Sequence, residues 1–257
     1  MTRRQTPEER ELSRKQADLA ALETELAQRE LDLATFQGEL RAFEGRYLRT
    51  VGVRYATLDE LESQIAEAVV RLTPNDPKAQ EQAAQAGAQA QDSAQATGAI
   101  HGPGQPTEFR PSDNLKKLYR EVAKRLHPDL ATDEEERARR TQLMAEANRA
   151  YEEGDEARLE AILREWESSP ESVKGGGPGA DLVRIIRKIA QVEERLRTID
   201  AEMIQLRASD LYQLKVKVDE AEGEGRDLLA EMAAQVDQEI AAGKKRLAEV
   251  ARKYPKP

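Results

Sequence analysis

Of the 257 residues, 35% are charged, 39% hydrophobic and only 4% aromatic, a balance too polar to fill one large core but rich in helix formers. The formal net charge of −9 repels a phosphate backbone and gives nucleic-acid binding no support. With no cysteine there is no disulfide, thiolate metal site or cysteine nucleophile. The polar start MTRRQTPEERELSRK and the lack of any apolar run of about 18 residues argue against a leader and a membrane span, so a cytoplasmic protein is expected.

The first predicted element is a coiled-coil segment over 8–72. Leu12, Leu19, Leu22, Leu26, Leu33, Phe36, Leu40, Phe43 and Tyr47 recur at alternating steps of three and four, with Lys15 and Arg29 as polar exceptions. Near Gly52 the register slips by one residue. Thr57-Leu58-Asp59-Glu60 then reads as a capping box, restarting a helix whose seam is Leu58, Leu61, Ile65 and Leu72. A true break and a stutter within one helix both fit the slip. Residues 73–111 are rich in Ala, Gln, Gly and Pro and lack apolar residues at helical spacing, which reads as a linker, flexible or transiently helical.

Helix punctuation is densest over 112–168. Ser112 caps a helix that must end before Pro128, because the residue ahead of a proline is pushed out of the α region. Thr132-Asp133-Glu134-Glu135 is a capping box for a second helix running to about Glu153. Gly154 suits its C-terminal left-handed position, and Asp155 caps a third helix over 156–167 with Leu159, Ile162, Leu163 and Trp166. The Gly/Pro stretch 169–180 reads as a hinge, since no Lys-Ser/Thr follows that would make it a phosphate loop.

A second coiled-coil segment covers 181–253. Its seam is Leu182, Ile185, Ile189, Val192, Leu196, Ile199, Met203 and Leu206, slipping near Ser209-Asp210 and resuming at Leu211, Leu214 and Val218. A weaker stretch follows past Gly223 and Gly225. The two segments are similar in length and slip at similar distances from their outer ends. An intramolecular antiparallel pair would show this, and a homodimer would fill the seams equally well. The expected class is all-α, with long coiled-coil helices flanking a small helical hairpin.

Within the hairpin, Leu115, Leu118, Tyr119, Val122 and Leu126 share one face with Ala123, while Lys116, Lys117, Arg120, Lys124 and Arg125 occupy the rest. Met144, Ala147, Ala150 and Tyr151 give the next helix a matching stripe. His127-Pro128-Asp129 forms the corner between the two. His101 is the only other histidine, so a metal site lacks ligands, and no nucleophile on a rigid turn accompanies His127. No metal, cofactor or catalytic residue is expected.

LKKLYREVAKRLHPD (115–129) and AEANRAY (145–151) resemble the J-domain, the DnaJ-type co-chaperone module. The matching positions are Tyr119, Arg120, Ala123, Arg125 and His127-Pro128-Asp129, then Asn148, Ala150 and Tyr151. The resemblance covers about 112–153, under a fifth of the chain. The arrangement is also similar to coiled-coil bacterial proteins with an internal J-domain. It implies a helical module that docks on a DnaK-type heat-shock chaperone and stimulates that partner's ATP hydrolysis, doing no chemistry itself. Lys116, Lys117, Arg120, Lys124 and Arg125 would then dock on an acidic chaperone surface. Asp129 would contact a chaperone arginine, His127 would orient the loop and Pro128 would stiffen it. The coiled coils would target a client or scaffold protein or set oligomeric state. The family's first helix has no counterpart before Ser112, so Phe109, the helix 156–167 or a coiled-coil segment must cover the hairpin's apolar face. That departure supports the alternative of a structural coiled-coil scaffold with a degenerate, non-stimulating J-like domain.

Overall fold

A computed structural model describes residues 6–98, 109–131, 133–167 and 178–253, and among them every regular element is helical, as the all-α expectation requires. The chain divides into two compact units, one of Met1–Glu39 with Phe109–Ser209 and the other of Leu40–Glu108 with Asp210–Pro257.

Helix α1, Pro7–Tyr47, opens on a capping box that the sequence reading overlooked. The Thr6 amide donates to Glu9 Oε2 at 2.8 Å and the Glu9 amide to Thr6 Oγ1 at 3.2 Å. It passes without a break through a π-turn, Leu48–Gly52, into α2, Val53–Leu72. A π-turn accommodates one extra residue, which is the size of the slip in the seam. The expected restart at Thr57 is therefore overturned: Thr57 lies inside α2, its hydroxyl donating to the Val53 carbonyl at 2.9 Å.

In the second unit, α3 spans Pro77–Gly98 where a linker was expected. Asp76 Oδ1 accepts from the Lys78 amide at 3.0 Å, and the proline at the first position has no amide to leave unpaired. Alanine is the strongest helix former, and its small side chain lets two helices approach closely. Ala79, Ala90 and Thr97 are buried, Ser93 bonds Asp59 of α2, and Gly87 faces Ser63, so α3 runs back antiparallel along α2. The large apolar residues sought in the sequence were not needed.

Helices α8, Asp210–Gly223, and α9, Leu228–Lys253, meet at a turn in which the Arg226 amide donates to the Ala221 carbonyl at 2.9 Å and Gly225 takes φ 79°. Arg46 pairs with Glu222 at 3.0 Å, Arg54 with Asp237 at 3.0 Å, and Gly243 sits against Leu61. Partner numbers rise together, so these helices run parallel. Their cores are Phe43, Val51, Val218 and Leu229, then Leu58, Leu61, Val236 and Ile240.

In the first unit, α7, Pro178–Ala208, packs Val192 and Ile199 against Leu19, Leu26 and Leu33 of α1. Arg29 reaches Asp200 at 3.7 Å, and Arg207 lies over the Phe36 ring at 5.8 Å. The pairing is again parallel, which corrects the antiparallel expectation. The predicted hinge lies outside the described residues up to 177, and the break at Ser209 is present.

Helices α4, Asp113–Leu126, and α5, Glu134–Glu153, form an antiparallel pair closed by α6, Glu156–Glu167. Ser112 Oγ accepts from the Leu115 amide at 2.9 Å, as expected. The second cap is Asp133, whose carboxylate accepts from the Glu136 amide at 2.9 Å; Thr132, the expected cap, lies outside the described residues. Gly154 takes φ 74° and Asp155 caps α6 through the Arg158 amide.

All three expected covers close the apolar face of this pair. Ala27, Leu31 and Ala34 of α1, Leu159 and Ile162 of α6, and Phe109 pack on Leu115, Tyr119, Val122, Ala147 and Tyr151. The Phe109 ring stands edge-on to Tyr151, their centroids 5.6 Å apart, and lies on Gly38, where an added Cβ would come within 2.6 Å of it. The hydroxyls are satisfied: Tyr151 bonds Thr35 Oγ1 at 2.7 Å, and Tyr119 donates to Asn148 Oδ1 at 2.6 Å. Burial pushes the Tyr119 phenol far above its ordinary range.

Candidate functional site: the His127-Pro128-Asp129 corner

The basic side chains predicted on α4 form a solvent-facing strip. Lys117, Arg120, Lys124 and Arg125 are exposed and Lys116 is half-buried. Lys116 stands 3.9 Å from Asp113, Arg125 pairs with Glu121 at 2.7 Å, and Arg120 donates to Gln28 of α1 at 3.2 Å.

Helix α4 ends as Pro128 requires, and Pro128–Leu130 form one 3₁₀ turn in which the Leu130 amide donates to the His127 carbonyl at 3.0 Å. The corner is not the open loop that its sequence implied. His127 is only 4% exposed. Its Nδ1 accepts from the Asp129 amide at 3.2 Å, which leaves the ring proton on Nε2, and Nε2 donates to Glu30 Oε1 of α1 at 2.8 Å.

Glu30 is itself only 6% exposed and holds a second partner. Arg195 of α7 approaches it with two donors, Nε to Oε1 at 2.7 Å and Nη2 to Oε2 at 3.2 Å, and its Nη1 reaches Glu202 at 2.7 Å. Burial alone would raise the Glu30 pKa. The hydrogen bonds from His127 and Arg195, with the Arg195 charge, outweigh it and hold the carboxyl below its usual range. Burial likewise opposes the Arg195 charge, and the two carboxylates overcome it, raising its pKa.

The backbone of the corner is held as well. Arg140 Nη1 donates to the His127 carbonyl at 3.2 Å, while its other nitrogens bind Glu136 and its guanidinium lies 4.7 Å from the Trp166 ring centroid. In the orientation that satisfies both of its ends, the Gln191 amide of α7 donates to the Asp129 carbonyl at 2.8 Å and accepts from Arg137 at 3.1 Å. Leu130 inserts among Leu19, Leu26, Leu33, Val192 and Ile199, and Ala131 is buried beside it. The Asp129 carboxylate remains partly open, its side chain 31% exposed and its Oδ2 3.6 Å from His127 Nδ1.

Sequence reasoning named both sides of α4 and the corner but missed Glu30, Gln191 and Arg195, which lie on the long helices beside the apolar positions. The available signal was weak: a carboxylate and a guanidinium flanking seam residues on two segments that must pair. Among the described residues no group of three or more His, Asp and Glu side chains could hold a metal ion, and no helix is long and apolar enough to cross a membrane. No family model, no curated protein and no solved structure matches this chain.

Proposed function

We propose that the α4–α5 pair is a J-type hairpin and that the chain is a co-chaperone or adaptor recruiting a DnaK-type heat-shock chaperone, acting in the cytoplasm and doing no chemistry of its own. The carrying observation is the basic strip of half-buried Lys116 and exposed Lys117, Arg120, Lys124 and Arg125, which ends at the His127-Pro128-Asp129 corner with the Asp129 carboxylate partly open. In an acidic protein such a strip offers an acidic partner a local attractive field that speeds encounter and fixes orientation. The long helix pairs act as coiled coils that carry the hairpin to a client or scaffold protein. ATP turnover by the DnaK-type chaperone, measured with and without this protein, tests the reading. Stimulation should rise with protein concentration, weaken as salt screens the strip, and fall for His127→Gln and Asp129→Asn. Equal stimulation by wild type and both variants would sink it. A second reading, a structural scaffold with a retired hairpin, is favoured by the burial of His127 against Glu30, and it expects no stimulation at any concentration.

A further inference from the structure

The basic strip and the corner, one continuous surface in the co-chaperone reading, stand in different states. The strip faces solvent, whereas His127, Leu130 and Ala131 are buried against the unit's own α1 and α7. We infer that the α1/α7 pair is an intramolecular lock on the corner, so that this chain binds its chaperone through α4 in the locked state and stimulates it only after the corner is released. The inference rests on the co-chaperone reading and adds a regulatory step to it.

The lock has three points. His127 Nε2 donates to Glu30, Gln191 donates to the Asp129 carbonyl, and Leu130 enters the seam between α1 and α7. The charge arrangement makes it reversible. At Glu30, undocking removes only the hydrogen bond from His127 Nε2, because Arg195 still holds both Glu30 oxygens and Glu202 still holds Arg195. No buried charge is stranded when the corner leaves, so the lock can open without dismantling the helix pair. The hairpin meanwhile keeps its own core of Leu115, Tyr119, Val122, Ala147, Tyr151 and Ile162. Asp129 is the element already half-released, and its carboxylate becomes a complete contact only when the turn around it moves.

Two readouts separate the lock from the function it serves. The first needs no chaperone: acylation of the His127 imidazole by diethylpyrocarbonate, followed by peptide mass. The second is ATPase stimulation of the DnaK-type chaperone at sub-saturating protein. Both are measured on the full chain for wild type, Glu30→Gln and Gln191→Ala, with circular dichroism to verify folding. Gln191 is only half-buried, so its variant decides the matter if Glu30→Gln fails to fold. We expect faster His127 modification and stimulation increased on the order of 10-fold, with the gain abolished when Asp129→Asn is added. Unchanged His127 modification in the folded variants overturns the lock. An opened His127 with stimulation equal to wild type overturns its regulatory role and leaves the co-chaperone reading standing. An opened His127 with no stimulation by any protein overturns the co-chaperone reading, and the lock's role falls with it.

Discussion

Glu30 is only 6% exposed, and a buried carboxylate must be compensated wherever it sits. Its compensation comes from two elements distant in sequence, His127 at 2.8 Å and Arg195 at 2.7 Å, which makes one side chain the junction of hairpin, α1 and α7. The pKa of this group is depressed in the folded state, so its contribution to stability is fully present above the unfolded value of about 4.3 and is lost as pH falls through the folded one. Glu30→Gln is therefore expected to cost about 1–3 kcal/mol near neutral pH, mainly by leaving Arg195 short of a charged partner. The gap to wild type should close on acidification below that value. Urea unfolding of both proteins at a series of pH values from 7 downward reads this directly, and a gap that does not narrow as pH falls below the unfolded value would contradict it. Nothing in the local sequence marks Glu30. It lies beside Arg29, which the heptad reading placed in the seam, yet Arg29 faces solvent and Glu30 faces inward. The heptad rule assumes one partner face, and α1 serves two: Leu19, Leu26 and Leu33 toward α7, and Ala27, Leu31 and Ala34 toward the hairpin.

At the scale of elements, the informative feature is the π-turn Leu48–Gly52. The heptad pattern in the sequence located it to within a few residues, as a slip near Gly52, but the pattern alone fits a capped restart and a continuous helix equally. The structure resolves this through backbone dihedrals, with Gly52 at φ −58°, ψ −43° and no cap. The extra residue rotates the helix so that Val51 shares a core with Phe43 and Leu58 enters the next one along. Removing one residue from the turn should therefore convert it to regular α-helix and leave the seam aligned. Deletion of Thr50 is expected to preserve helical content and cost little stability, whereas deletion of Glu62 should turn every later seam residue by about 100° and cost several kcal/mol. Thermal melts followed by circular dichroism distinguish the two, and equal losses would contradict the register argument. Helix α3 teaches the complementary lesson. Its polarity and alanine content hid it from a search for large apolar residues, although alanine propensity and close packing on α2 are enough to form it.

At the scale of the whole chain, the sense of pairing governs what the long helices can do. The two segments slip register at similar distances from their outer ends, which suggests an antiparallel pair or a homodimer, but heptad patterns are themselves indifferent to direction. Direction becomes visible only through specific cross-helix pairs: Arg29 with Asp200 in one unit, Arg46 with Glu222 and Arg54 with Asp237 in the other. Two helices of one chain can lie parallel only if the chain travels back between them, and α3, antiparallel to α2, provides such a return in the second unit. In the first unit the parallel sense is what places Arg195 beside Glu30 and brings Gln191 to the corner, so the candidate site itself depends on it. Spin labels at Asp18 and Arg184 should accordingly be close neighbours, while labels at Asp18 and Ala208 should be separated by roughly 35 Å more along the axis, from a rise of about 1.5 Å per residue. Double electron–electron resonance on these two pairs gives the order of distances. A shorter distance for the Ala208 pair would establish the antiparallel arrangement instead and would remove Arg195 from Glu30, taking the lock on His127 with it.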